Sequence, residues 1–495
     1  MMKRLLTIFI SGAAGLLLCG SVGAQRMTLA EALDLAGGQS VEALAARNEF
    51  VSAYWAWRSY KASRLPSVVL YGNLMNFDRS LTLLQNFENG NMVYANTYNL
   101  QNSLGLAVNQ NVTFTGGTLS LYTDLSRIDQ YGKHAGLTWY AQPVTLSYNQ
   151  PLMAYNRFKW DKMIEPIAYE KAKRHYLEQM EEVGIRTVGA FYDLVLAREK
   201  QAIALSNYEN SGMLHAVARE RLALGSITRD EYLQLEMRML ADSIQINETA
   251  IGVRAAQMAL NSILGLDERT EVTPAPDEVL PDLYLDYDRV LDLALNRATF
   301  QLNNRLEILQ AQSEVARAKA NRGISMTLNA RFGLSKTGAA IRDVYLQPID
   351  QEVVGLSFSV PIFDWGLGRG RVQKAQAAQA VVEASALQSE NDFRRDIFSK
   401  VAQFNSQRDQ CTVSRRAAAI ARERYALVME RFRAGAIGVT ELNNAQTEKD
   451  NAASKYINDL ATFWKSYYTL RKAALYDFIG GKELDVDPEK MMSRP

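Results

Sequence analysis

The sequence contains only two cysteines, Cys19 and Cys411, and three histidines, His134, His175 and His215. If Cys19 belongs to a removed leader, no disulfide can form within one mature chain. The histidines stand in unrelated contexts, and no metal-ligand spacing, nucleophile elbow or phosphate-binding loop is present. The sequence therefore points away from an enzyme, and no cofactor or metal ion is expected.

An excess of one charge and long apolar runs are also missing. The net charge of +1 excludes bulk attraction to nucleic acid. After residue 24 no run of about 18 apolar residues occurs, so no transmembrane helix is expected. Residues 1–24 have the basic start, apolar core and small final residues of a signal peptide, which predicts export. A lipid anchor on Cys19 is less favoured, because Leu18 precedes it.

The main positive feature is an internal repeat. Residues 221–236 read RLALGSITRDEYLQLE and residues 431–446 read RFRAGAIGVTELNNAQ, an offset of 210 residues. Each stretch interrupts a very long helical pattern, which predicts the tip of a helical hairpin. Near the start of each copy, LDLA at 33–36 recurs at 291–294, an offset of 258 residues. Two copies of one structural unit are therefore expected in this chain.

These offsets divide the chain into two similar halves. The predicted parts are a signal peptide (1–24), a first repeat (25–267) with strands at about 67–150 and a long helical hairpin at about 155–265, a linker (268–286), a second repeat (287–479) with strands at about 324–361 and a long helical hairpin at about 366–478, and a polar tail (480–495). The outgoing helix of each hairpin has roughly 67 residues and would be about 100 Å long, more than a compact domain holds.

Before each long helix, the spacing of apolar residues changes from helical to alternating. One hairpin is predicted in the second repeat, and further strands in the first at 67–77, 103–114, 118–126 and 139–149. Alternation fits a half-buried sheet of a soluble domain or a membrane barrel. An isolated hairpin is not stable, so the second-repeat hairpin must pair elsewhere. A barrel shared between repeats and chains would leave no bare edge.

The first repeat carries 48 additional residues within its strand region, where the offset falls from 258 to 210. They form either a second hairpin turning at Thr115-Gly116-Gly117 or long ordered loops. Four strands per chain is the leading prediction, and six is the alternative.

This ordered set of features resembles the TolC family of bacterial outer-membrane efflux proteins. The resemblance covers nearly all of the mature chain and includes the strand exits Gln150-Pro151-Leu152 and Val360-Pro361-Ile362. It implies a mainly α fold with transmembrane β-structure, in which a homotrimer builds one β-barrel in outer-membrane lipid, continued by an α-helical barrel as a periplasmic tunnel. It also implies a periplasmic adaptor protein as a partner and, through it, an inner-membrane transporter. In the family each half contributes two strands, so the 48 extra residues depart from the pattern.

The resemblance assigns adaptor docking to the two hairpin tips. The corresponding positions are Arg221, Leu222, Gly225, Ser226, Ile227, Arg431, Phe432, Gly435, Ala436 and Ile437. Ordinary turn chemistry also accounts for the two glycines. Phe432 and Ile437 replace a tyrosine and an arginine that help to close the mouth in the best-known member, so a gate lock here needs other bonds.

Glu441, Asn444 and Glu231 are the candidates for the pore constriction. In the family, acidic residues near Glu441 line the periplasmic mouth, and three copies would form a ring that favours cations. Asn444 stands where the family can carry a second acid. Alternatively, both glutamates only stabilise the positive end of the returning helix. For Glu441 the pore role and the helix-dipole role are equally favoured, and for Glu231 the helix-dipole role is favoured.

Two functions remain open after these observations. The first is the outer-membrane exit duct of a tripartite efflux or secretion system, with passive transport through the channel. The alternative is a structural coiled-coil envelope protein without a pore.

Overall fold

The computed structural model describes residues 25–85, 92–132, 135–276 and 280–492. The predicted signal peptide, with Cys19, and His134 lie outside the described residues. The described chain forms two compact units. The first unit combines residues 25–49, 176–298 and 394–486, and the second combines residues 50–175, 299–393 and 487–492.

Each half of the chain contains two helices, then antiparallel strands, then two long helices. The first repeat and the linker contain β1 (Gln25–Thr28), α1 (Leu29–Gln39), α2 (Val41–Ala62), β2 (Ser67–Gln85), β3 (Met92–Val112), β4 (Gly117–Gln130), β5 (Gly136–Leu152), α3 (Arg157–Ala223), α4 (Arg229–Leu264) and β6 (Val272–Ala275). The second repeat and tail contain α5 (Tyr287–Arg297), α6 (Thr299–Arg322), β7 (Ser325–Gly338), a 3-10 turn (Asp343–Tyr345), β8 (Ile349–Ser359), α7 (Leu367–Arg433), α8 (Val439–Ala474), β9 (Tyr476–Asp477), β10 (Lys482–Glu483) and α9 (Pro488–Met492).

The long helices have the predicted lengths. Helices α3 and α7 each contain 67 residues, and the returning helices α4 and α8 each contain 36. Helix α3 begins at Arg157 and runs through Pro166, so the proline does not delay its start. Helix α4 ends at Gly265, which adopts a left-handed conformation with φ 69°, a backbone state that glycine reaches without a Cβ clash.

The second unit contains a sheet of six strands, in the order β2-β3-β4-β5-β7-β8. All neighbouring pairs are antiparallel. The leading prediction of four strands was therefore wrong, and the alternative of six describes the sheet. The extra residues of the first repeat form a second hairpin, β3–β4, which turns where Gly116 has φ 82° and donates its N–H to the Val112 carbonyl at 2.8 Å. The strands of the first repeat are also longer than the sequence pattern indicated.

One face of this sheet carries an apolar band that crosses all six strands. Apolar residues are paired in register as Val68–Val108, Leu70–Leu106, Val108–Leu121, Leu121–Leu146, Leu146–Phe332 and Leu328–Leu356. The opposite face carries rows of polar residues, listed by register as Asn109–Ser120–Ser147–Arg331 and Asn111–Thr118–Asn149–Asn329. The apolar face is open in the single chain: Leu70 is 68% exposed and Leu356 is 53% exposed.

The first unit has a helical core closed by a small parallel sheet. Strand β1 pairs with β6, so the predicted linker supplies a strand as well as a connection. Thr28 caps α1 in a reciprocal capping box with Glu31. The core contains Met27, Phe191, Leu260 and Leu264, all at 1% exposure or less.

Candidate functional site at the two hairpin tips

The two tip turns have the same backbone. Gly225 and Gly435 adopt left-handed φ values of 68° and 77°. In the first tip the Ser226 N–H donates to the Arg221 carbonyl at 2.9 Å, and in the second the Ala436 N–H donates to the Arg431 carbonyl at 2.9 Å. These bonds satisfy the last carbonyls of α3 and α7 and require a positive φ at the glycine. The repeated glycine is therefore explained by local geometry in both tips.

The returning helices start differently in the two tips. Thr228 caps α4, and its N–H and hydroxyl contact the Glu231 carboxylate at 2.9 and 3.1 Å. The Glu231 N–H donates back to the Thr228 hydroxyl at 3.2 Å, which completes a capping box. In the second tip the capping position is Gly438, which offers no side chain for this bond. Glu231 is thus engaged in a structural role that is not available to Glu441.

The two tips pack against each other within the first unit. The cluster that joins them has members from all four helices, namely Leu214, Ala218, Leu235, Val428, Met429, Phe432, Val439, Leu442 and Ala445. Phe432 is 7% exposed, whereas its counterpart Leu222 is only partly buried. The aromatic residue that replaces the family's tyrosine therefore contributes apolar packing between hairpins.

A side chain of the first tip also closes the end of the second. The Arg221 guanidinium donates through Nη2 to the Arg433 carbonyl at 3.0 Å. This carbonyl belongs to the last turn of α7, where a cation is favourable for the helix dipole. Arg431, the counterpart of Arg221, instead lies 4.0 Å from the Glu441 carboxylate, and both side chains are about half exposed.

A cavity of about 310 Å³ lies between the tips. It brings together seven of the ten residues that the resemblance assigned to adaptor docking: Arg221, Ser226, Ile227, Phe432, Gly435, Ala436 and Ile437. Leu222, Gly225 and Arg431 do not line it. Leu214, Val217 and Leu235 also line the cavity. These three residues were not singled out from the sequence, because apolar residues at helical spacing recur along the whole of both long hairpins.

Glu441 and Asn444 lie on one exposed stripe of α8. Both are exposed, whereas Leu442 and Ala445 between and beside them are buried in the tip cluster. Glu448 extends the same stripe by one turn and forms an ion pair with Arg424 of α7. Sequence reasoning missed Glu448, although its seven-residue distance from Glu441 could have revealed it.

Polar bonds connect the two hairpins further from the tips. Arg238 of α4 donates to the Asn443 side chain at 3.4 Å, and Asn207 of α3 donates to Asp450 at 2.8 Å. Within the first hairpin, Asp242 of α4 accepts from Ser211 of α3 and lies 3.4 Å from Arg238. With the Arg221 bond, the Arg238–Asn443 and Asn207–Asp450 contacts supply inter-hairpin links that do not use a tyrosine at position 432 or an arginine at position 437.

A buried carboxylate lies on α3 far from the tip. Burial raises the pKa of Glu181 to about 7, although Arg471 lies 2.9 Å away and opposes the shift. Arg471 also approaches Asp477 at 3.7 Å, and Tyr467 donates to Asp477 at 2.6 Å. This cluster ties α3 to the end of α8.

The described residues contain neither a metal-binding cluster nor a membrane-spanning helix. No group of three or more His, Cys, Asp and Glu side chains in the described ranges is placed to hold a metal ion. Over the same ranges, the helices include none that is both long enough and apolar enough to cross a bilayer.

The fold is shared with a class of solved structures. The chain has the fold of outer-membrane channels: it matches CmeC of Campylobacter jejuni with a TM-score of 0.66 at 16% identity, covering 94% of this chain and 88% of that one. It matches VceC of Vibrio cholerae with a TM-score of 0.62 at 13% identity, covering 92% and 97%. A membrane protein from Pseudomonas aeruginosa gives a TM-score of 0.65 at 15% identity, covering 94% and 92%.

A family match agrees with this fold. Residues 290–474, most of the second repeat, match the model of the outer membrane efflux protein family. A comparison with curated protein sequences finds no significant match. The resemblance to the TolC-like outer membrane efflux proteins is therefore confirmed, by sequence in the second repeat and by fold over nearly all of the described chain.

Proposed function

We propose that this protein is the outer-membrane exit duct of a tripartite efflux or secretion system. The observation that carries the proposal is the six-stranded sheet, which has a continuous apolar band on one face and polar rows on the other. An apolar face of this extent is unfavourable in water and suits lipid, and the polar face then lines an aqueous lumen. The fold of known outer-membrane channels supports the same conclusion.

The sheet cannot close within one chain. Strands β2 and β8 lie at its two edges, and edge strands expose unpaired N–H and C=O groups that are costly in lipid. Because six is an even number, β8 of one copy can join β2 of the next in the antiparallel sense. Three copies would then close a barrel of 18 strands. A cryo-electron microscopy map with a 12-stranded wall, and the β3–β4 hairpin outside it, would contradict this count.

The proposed duct narrows at the periplasmic tips. Three copies of Glu441 would form a carboxylate ring at the mouth, with Asn444 and the paired Glu448 above it. Glu441 is exposed and has only a long contact to Arg431, which supports this role. Glu231 is proposed to be a capping residue alone, because Thr228 occupies its carboxylate.

Planar bilayer recordings test the duct. We expect purified trimers to form cation-preferring pores, and Glu441→Gln to lower the preference. Glu231→Gln is the matched control and should leave selectivity unchanged. A soluble dimer without conductance would support the coiled-coil alternative, and an unchanged preference in Glu441→Gln would remove the carboxylate ring.

The cavity between the tips is the proposed docking site for a periplasmic adaptor, and through it the inner-membrane transporter. Seven predicted residues line it, and its walls combine apolar side chains such as Leu214 and Leu235 with the charged side chains of Arg221 and Glu231. A photo-crosslinking residue at Ala436 should capture an adaptor in intact cells. The same group at exposed Thr447 should not, and equal capture at both positions would contradict docking in the cavity.

A further inference from the structure

One surface of the second unit has a composition that the duct does not explain. The C-terminal half of α2 carries Tyr54, Trp55, Trp57, Arg58, Tyr60, Lys61 and Arg64 in its last turns and the residues that follow. We call these residues the α2 aromatic–basic surface. Trp57 stacks on Tyr60 at 5.3 Å and on Tyr169 of α3 at 5.5 Å. Trp55 is 55% exposed. Part of the surface is thus anchored, and part is open.

The cations of this surface rest on its aromatic rings. The Lys61 ammonium lies 4.9 Å from the Trp57 ring centre, and the Arg64 guanidinium lies 5.9 Å from that of Tyr60. The sequence from residue 50 to residue 77 contains no Asp or Glu. Across the described residues, no carboxylate forms an ion pair with Arg58, Lys61 or Arg64. Three exposed cations are therefore available to an anion from outside.

The surface lies next to the ends of the strands. Helix α2 ends at Ala62, and β2 starts at Ser67. A cavity of about 170 Å³ opens beside Arg64 and is lined also by Ser63, Asn111, Thr113, Tyr60, Phe158, Arg157 and Asp161. Asp161 pairs with Arg157 at 3.1 Å, so this carboxylate is already neutralised. From Trp55 to Ala62 the helix rises about 10 Å, enough to span one headgroup layer of about 5–8 Å.

We infer that the α2 aromatic–basic surface binds the anionic headgroups of phospholipids in the leaflet that borders the strand ends. The inference rests on the proposed function, because that function puts the strands in a bilayer. Aromatic rings with one polar edge favour the membrane–water interface, and clustered Lys and Arg attract anionic lipids. Exposed Trp55 enters the interface, while Arg58, Lys61 and Arg64 contact headgroup phosphates.

The second repeat offers a natural control. Helix α6 carries Lys319 and Arg322 at the positions of Lys61 and Arg64, with the 258-residue offset, and Arg317 nearby. The aromatic residues are absent from it: Ser313, Val315 and Ala318 stand where the first repeat has Trp55, Trp57 and Tyr60. Arg317 is also paired with Glu314. Equal numbers of cations without rings should bind lipid more weakly.

Native mass spectrometry of the full-length protein in detergent tests the inference. The probes are phosphatidylglycerol and phosphatidylcholine with the same acyl chains. The wild type should retain more phosphatidylglycerol, and Arg58→Gln/Lys61→Gln/Arg64→Gln should bind it at least about tenfold more weakly. Arg317→Gln/Lys319→Gln/Arg322→Gln should retain it like the wild type. Trp55→Ala changes an exposed ring and keeps the three cations, and it should also weaken the retention of phosphatidylglycerol.

Several outcomes would overturn the inference. Equal retention of the two lipids by the wild type would do so, as would equal loss in both triple variants. Inorganic phosphate that displaces the lipid at equal concentration would show a free-anion site instead. If the Arg58→Gln/Lys61→Gln/Arg64→Gln variant loses binding to cell-wall muropeptides and retains lipid like the wild type, the surface would be assigned to the cell wall. If the wild type forms no pores in bilayers, the proposed duct fails; pores without a lipid preference remove only this inference.

Discussion

The two hairpin tips share a sequence motif and a backbone but use the same side chains differently. In the first tip, Glu231 is bound by Thr228, and Arg221 reaches across to the Arg433 carbonyl. In the second tip, the capping residue Gly438 has no side chain that could bond to Glu441. The comparison shows that the duplicated motif preserves the turn. The neighbouring capping residue then determines whether the glutamate caps the helix, as Glu231 does, or leaves its charge exposed, as Glu441 does.

The strand regions of the two repeats also differ. The second repeat contributes one hairpin to the sheet, and the first contributes four strands because of the inserted β3–β4 hairpin. The insertion keeps the antiparallel order, since a hairpin adds two strands at once. Duplicated halves can therefore diverge in size without disturbing the sheet.

The largest expected effect is on the free energy of unfolding, and it distinguishes Phe432 from its counterpart Leu222. Phe432→Ala removes a buried ring from the tip cluster and should lower the free energy of unfolding by about 3–5 kcal/mol. Leu222→Ala, at a partly buried site, should cost about 1 kcal/mol. Denaturant unfolding followed by circular dichroism measures both, and equal losses would show that the tips are equivalent.

A pH dependence should follow from Glu181, whose counterpart in the second repeat is exposed Asn391. The pKa of Glu181 is raised from 4.5 to about 7 by burial, so the folded state binds the proton more tightly than the unfolded state. Stability from this group is present below pH 4.5 and is lost as the pH rises towards 7, by up to about 3 kcal/mol. Glu181→Gln should flatten the profile; an equally steep profile in that variant would exclude Glu181 as the source.

The two tip arginines should differ by a smaller amount. Arg221→Gln loses a charged hydrogen bond to the Arg433 carbonyl and should cost about 1–2 kcal/mol. Arg431→Gln breaks only a long, exposed contact to Glu441 and should cost about 0–1 kcal/mol. Thermal unfolding of the two variants compares them, and a larger loss for Arg431 would reverse our assignment.

The smallest effect on stability comes from exchanging the helix caps. Gly438→Thr copies the first tip, and no atom lies within 4 Å of the added Cβ. It should stabilise the tip by a few tenths of a kcal/mol and draw Glu441 into a capping box. Cation preference in bilayer recordings should then fall. Thr228→Gly is the reverse change; it should leave the preference unaltered, and a shift there would give Glu231 a share in selectivity.

Much of the fold could be predicted because the signals were local. The glycine turns and the 67-residue helices follow from spacing along the chain, whereas the capping box at Thr228 was not predicted. The strand number was predicted wrongly because alternation does not distinguish an inserted hairpin from ordered loops. The cavity residues Leu214 and Val217 were not predicted as a site, since apolar residues three positions apart recur all along the long helices.

The amino-acid sequence by itself determined the repeat, the helix lengths and the tip turns, because these depend on backbone preferences and residue spacing within a few turns. Only the tertiary structure decided that six strands form one sheet, that Arg221 caps the other hairpin, and that Glu231 is occupied while Glu441 is exposed. Those outcomes depend on which segments meet in space, and contacts between residues far apart in the chain leave no periodic trace in it.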